Sequence, residues 1–165
     1  MEEIIKAIPC KFIVADYVRE KEARSIKKKY TSRGMAISNK ENINLQPMVE
    51  NKLLSIVSLD FNREAVDCVN FTYEMNDGEA MSGAIAKNRN WAIATDDYEA
   101  TQNFIRDIPE IQIITTIDLI KYWSDFSNPS PSEVIIVTNN IYTIGNYIPT
   151  PRHHLYTWWC KYFQR

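Results

Sequence analysis

The chain has 165 residues, 45% of them apolar and 24% charged, with a formal net charge of −2. That length suits one domain with a core of its own, and the composition excludes a disordered chain. With only four glycines (Gly34, Gly78, Gly83 and Gly145) no GxGxxG loop can be written, and Ala84 stands where a P-loop spaced from Gly78 and Gly83 would need lysine.

Taken in chain order, Ile4, Ile5 and Ile8 predict a short helix that Pro9 ends. Phe12 to Ala15 is an apolar run of strand length. The charged stretch from Asp16 to Tyr30 carries Val18, Ala23, Ile26 and Tyr30 at roughly helical spacing and predicts a long helix. Asn39 to Leu45 reads as a hairpin or loop, and Gln46 to Leu54 as a short helix with Pro47 near its start. A buried strand over Ser55–Leu59 follows, then a helix capped by Asp60 and running to about Glu74. The pattern next gives a helix from Asp77 to Arg89, strand Trp91–Thr95, helix Asp97–Ile108, strand Ile111–Ile114 and helix Thr116–Phe126. Beyond the linker at Asn128–Pro131, Ser132 to Tyr147 predicts a helix, and Leu155 to Phe163 forms an aromatic tail. Alternating strands and helices imply an α/β fold with a parallel sheet, whose ligands bind beyond the carboxyl ends of the strands. A domain over 1–127 with a helical extension over 128–165 is the expected division.

Charge is unevenly spread: residues 1–34 carry +4 and the remainder −6. Cys10, Cys68 and Cys160 are far apart without a CxxC pair, which fits reduced thiols in a cytoplasm, and no apolar run is long enough to span a membrane. Cys68 and Cys160 read as buried thiols. His153 and His154 have no acidic neighbours in sequence and read as solvated. The aromatic tail reads as a docking face in preference to a base-stacking platform.

The acids fall where strands end. Asp96 and Asp97 follow the strand Trp91–Thr95, Asp77 and Glu79 open the preceding helix, and Glu20 and Glu22 follow the first strand. Singly, each pair has a structural use: Asn76 with Glu79, and Asp96 with Glu99, match capping boxes, and Glu20 with Arg24 an i,i+4 pair. Gathered at one sheet edge, the carboxylates would repel unless a cation neutralised them, and an all-oxygen set selects Mg²⁺ or Mn²⁺.

DGEA at Asp77 to Ala80, TDD at Thr95 to Asp97 and ITTIDLI at Ile114 to Ile120 resemble the second half of a PIN domain, the VapC-like nuclease family. IVADYVREKEA at Ile13 to Ala23 is similar to that family's second strand and its glutamate-bearing helix. The resemblance implies a three-layer α/β/α sandwich and a Mg²⁺-dependent ribonuclease that hydrolyses RNA phosphodiesters with metal-activated water. It implies Glu79 and Asp96 as metal ligands and Asp97 as a catalytic support. The early ligand stays open between Glu20 and Glu22, with Glu22 preferred from its place beside Lys21 and Ala23, and Asp77 is a further candidate. Lys27, Lys28 and Lys29 close the expected helix, where they complement its dipole; in a nuclease they would hold phosphates. Also implied are a homodimer and the toxin role of a toxin–antitoxin pair, with an antitoxin protein as partner. The family's opening strand, which ends in an aspartate, is expected to be missing ahead of Phe12. The alternative reading is a catalytically incomplete PIN-like module that binds a partner protein through its C-terminal helices.

Overall fold

The computed structural model describes residues 2–23, 25–32 and 35–164, without the side chains of residues 26–41. Its elements are α1 (Glu2–Ala7), β1 (Phe12–Ala15), a π-helical turn (Val18–Glu22), β2 (Ser25–Ser32), β3 (Met35–Asn42), α2 (Gln46–Glu50), β4 (Leu54–Val57) and α3 (Ala65–Phe71). There follow α4 (Asp77–Arg89), β5 (Ile93–Ala94), α5 (Tyr98–Asp107), β6 (Ile113–Ile114), α6 (Thr116–Ser127), α7 (Pro131–Gly145) and α8 (Tyr156–Tyr162). The fold is mixed α and β, with small parallel sheets: β1 pairs with β4, β5 pairs with β6, and β2–β3 form a separate antiparallel hairpin.

The long helix expected over Asp16–Tyr30 is not formed. One π-helical turn ends at Glu22, and Ser25–Ser32 then pairs with Met35–Asn42, Tyr30 lying opposite Ile37. Ile26, Lys28 and Tyr30 alternate with period two as readily as they match a helix, and Thr31 and Ser32 favour a strand over a helix end. The helix expected from Asp60 begins later: Asn62 N–H donates to Asp60 Oδ1 at 3.0 Å in a turn, and α3 starts at Ala65.

Helix ends are written locally. Asn76, Asp97, Thr115 and Ser130 each accept a backbone N–H from the first turn of α4, α5, α6 and α7, and the last two form reciprocal capping boxes. At the other ends Asn90, Asn128 and Asn146 take left-handed φ of 54°, 46° and 53°, asparagine serving where glycine is more usual.

Two cores result. In the first, Phe71 and Met75 pack with Ala80 and Ala84 of α4, Ile93 of β5, and Ala100 and Phe104 of α5. Gly83 is required here, because a Cβ would lie 2.5 Å from the Phe104 ring. The second core joins Ile4 of α1, Ile120 and Trp123 of α6 and Val134 of α7, with Trp158 and Tyr162 of α8 against it, so it draws on both sides of position 127. Accessible surface is 10987 Å², against about 8,400 Å² for a compact protein of this mass. Among the described residues no helix is long and apolar enough to cross a membrane.

Candidate functional site

β1 and β5 face one another across a cavity of about 210 Å³, lined by Ile13, Val14 and Ala15 on one side and Ile93 and Ala94 on the other, beside Ser82, Ile85 and Ala86 of α4. Tyr17, two residues past β1, donates its hydroxyl to Asp77 Oδ2 at 2.9 Å, where α4 begins. Asp97, three residues past β5, exerts its charge on Glu79 in the first turn of α4. Both strands therefore run toward the N-terminus of α4, and their carboxyl ends share one edge.

Four of the acids singled out from the sequence meet there: Glu22, Asp77, Glu79 and Asp97. The Glu22 carboxylate is packed on the backbone of Gly78, so closely that a Cβ on Gly78 would lie 2.3 Å from both of its oxygens. Helix N-termini attract negative charge, and this one lacks a side chain that would keep the carboxylate away. Burial pushes the Glu79 carboxyl above its usual range. The negative charges of Asp97 and Glu22 add to that rise, against hydrogen bonds that Glu79 takes from Asn76. Tyr17 is raised chiefly by its hydrogen bond to Asp77, with Glu22 contributing through its charge. Among the described residues none of these four carboxylates is paired with a lysine or arginine.

Asp97 is also the N-cap of α5, its Oδ1 accepting from Ala100 N–H at 2.9 Å. The cap expected of Asp96 with Glu99 is thus made one residue later. Asp96 does different work. Its Oδ1 accepts from Thr116 N–H at 2.8 Å, its Oδ2 takes the Thr116 hydroxyl, and its charge adds to the burial that pushes the Tyr147 phenol up. The charge of Asp96 bears on Tyr147 and His153, not on Glu79. Glu20 lies in the same π-helical turn as Glu22. Lys27, Lys28 and Lys29 belong to β2, which begins three residues after Glu22, and so do not close a helix; their side chains lie outside the described residues.

Some residues at this edge escaped the sequence reading. Asp16 follows β1 directly, half-buried, its Oδ1 accepting from Tyr17 N–H at 2.7 Å. Its signal was the acid at the end of the apolar run Phe12–Ala15, hidden because Asp16 also reads as the start of a charged helix. His153 is another correction. It is half-buried, with Nδ1 accepting Leu155 N–H at 3.1 Å and Nε2 3.1 Å from Thr115 Oγ1, while His154 Nε2 lies 2.8 Å from Asp118 Oδ1. The acid neighbour exists but is 35 or more positions away. Cys68 is only half-buried and Cys160 is exposed, so neither is a buried thiol. In the tail, Trp159 is buried and stacks on Phe163 at 5.4 Å between ring centroids.

No family model, no curated protein and no solved structure matches this chain.

Proposed function

We propose that the edge formed by β1, β5 and the start of α4 hydrolyses RNA phosphodiesters with Mg²⁺ or Mn²⁺, in a PIN-like α/β/α sandwich. The observation that carries this reading is the convergence of Glu22, Asp77, Glu79 and Asp97 without a basic partner among the described residues. The donor set fits the ion: every side chain offers carboxylate oxygen, and the charges of Asp97 and Glu22 add to the burial that raises the Glu79 carboxyl. Glu22, Glu79 and Asp97 would hold it, Asp97 standing where the sequence motif alone suggests Asp96.

A bound Mg²⁺ or Mn²⁺ supplies an activated water and offsets charge on the phosphoryl oxygens. The chain's own part is positional. The first turn of α4 fixes Glu79 and receives Glu22, and Tyr17 holds Asp77 in place through its hydroxyl. Lys27, Lys28 and Lys29 belong to β2, the strand next in sequence, and are the residues that would meet the phosphates of a polyanion in this reading.

The test is cleavage of a labelled mixed RNA pool in Mn²⁺ by the whole chain beside Asp97→Asn and Glu79→Gln. Cleavage that both variants lose by a hundredfold or more supports the reading. Equal silence, or equal activity, in all three defeats it. The second reading, a PIN-like module that binds a partner protein, is favoured by one observation in another place than the C-terminal helices: Phe61, Val66, Val69 and Tyr73 around α3 are 80%, 73%, 59% and 84% exposed.

A further inference from the structure

Away from the acidic edge, the first turn of α6 meets the turn that precedes α8. Thr115 caps α6, its hydroxyl donating to Asp118 Oδ2 at 2.6 Å, and the same hydroxyl lies 3.1 Å from His153 Nε2. The neighbouring His154 stacks on His153 with ring centroids 4.5 Å apart and planes inclined by 22°. One donor atom each from Asp118, His153 and His154 lies within 4.8 Å of the other two. We infer that these three residues form a site for one transition-metal dication of the Zn²⁺, Co²⁺ or Ni²⁺ class.

Donor chemistry sets the class of ion. Two imidazoles and one carboxylate select borderline metals, whereas Mg²⁺ and Ca²⁺ take oxygen sets such as the one at the acidic edge. Proton inventory sets the atoms. His153 Nδ1 accepts the Leu155 N–H, so its lone pair lies there and the ring's proton sits on Nε2, directed at Thr115 Oγ1. A metal held by Nδ1 would displace the Leu155 N–H and leave Nε2–H on Thr115, the outer hydrogen bond that metal-bound histidines usually keep. His154 Nε2 and Asp118 Oδ1 lie 2.8 Å apart, close enough for one cation to reach both donors.

Distances permit closure. Tetrahedral ligands about 2.1 Å from zinc lie roughly 3.4 Å from one another, so donors already within 4.8 Å need shifts of an ångström or so. Three protein ligands leave a fourth position for water or a small ligand. A bound ion would also join the 150s turn to α6, and with it the C-terminal helix to the end of β5 through Thr116 and Asp96.

The test uses the untagged, chelator-stripped full chain. Co²⁺ is titrated by visible absorption and Zn²⁺ by calorimetry, for wild type, His154→Ala and Glu79→Gln. Because the His154 side chain is 68% exposed, its removal leaves the core intact. With millimolar Mg²⁺ present throughout to occupy the acidic edge, wild type is expected to bind one tight equivalent, His154→Ala to bind it at least tenfold more weakly, and Glu79→Gln to keep that tight equivalent. On wild type alone, Co²⁺ should shift or broaden the imidazole proton resonances of His153 and His154. Less than one equivalent bound, equal affinity in His154→Ala, or imidazole resonances untouched by Co²⁺ would overturn the assignment.

Discussion

Gly78→Ala separates stability from site geometry at the N-terminus of α4. The added methyl carbon would lie 2.3 Å from both Glu22 carboxylate oxygens and 2.4 Å from Cδ, while ordinary contact begins near 3.4 Å, so Glu22 must retreat by about 1 Å. The clash is with the far end of a flexible side chain, and the fold gives way only there. Replacing glycine by alanine in a helix contributes up to about 1 kcal/mol. Losing a carboxylate from the helix N-terminus costs about 0.3–1 kcal/mol. The two nearly cancel, and the urea midpoint should move by less than about 1 kcal/mol equivalent. Meanwhile Mn²⁺ affinity should fall by tenfold or more as one ligand moves away. A metal-free readout accompanies this: with Glu22 withdrawn, the Glu79 carboxyl titrates lower than in wild type, followed by carbonyl-carbon NMR. An unchanged Glu79 titration together with unchanged Mn²⁺ affinity would show that Glu22 does not rest on Gly78.

Glu64, only 2% exposed, takes Arg89 Nε at 2.6 Å and Asp60 N–H at 2.7 Å, so Arg89→Met should cost about 3–5 kcal/mol in urea unfolding, with Glu64→Leu/Arg89→Met recovering most of it. Arg89 beside Glu64 holds that carboxyl below its usual range. Its stabilisation is therefore full above the unfolded carboxylate pKa near 4.3 and is lost as pH falls through the lower folded value, a fall that urea melts at pH 2–6 should show and Glu64→Gln should lack. Glu79 has the opposite sign. Its raised carboxyl favours folding while protonated, so its contribution is lost as pH rises through the folded pKa, and Glu79→Gln should flatten that part of the stability profile measured without metal. Trp159 is 1% exposed, so Trp159→Ala should cost about 3–5 kcal/mol; Trp159→Phe should cost distinctly less, because the indole N–H has no acceptor to lose.

Elements whose ends are written in short-range chemistry were legible. Asn76 before Asp77, Thr115 before Thr116 and Ser130 before Pro131 each fix a helix start within a turn, and the apolar runs at Phe12, Ile93 and Ile113 mark strands even where two residues pair. Residues 16–42 were not, because Ile26, Lys28 and Tyr30 satisfy two periods at once and strand pairing with Met35–Asn42 decides between them. The choice between Asp96 and Asp97 was closed to sequence for another reason. Adjacent residues on an extended segment point opposite ways, and which one faces Glu79 depends on Thr116 and Tyr147, twenty and fifty-one positions later. The polar cluster at His153 is likewise assembled from α6 and the 150s turn, and no local spacing announces it.

The most direct measurement is a crystal of the whole chain soaked in Mn²⁺ and recorded for anomalous scattering. A peak is expected between Glu22, Glu79 and Asp97, with their carboxylate oxygens as its ligands, as a hard cation requires. A crystal saturated with Mn²⁺ that shows no peak at this edge would contradict the proposed site.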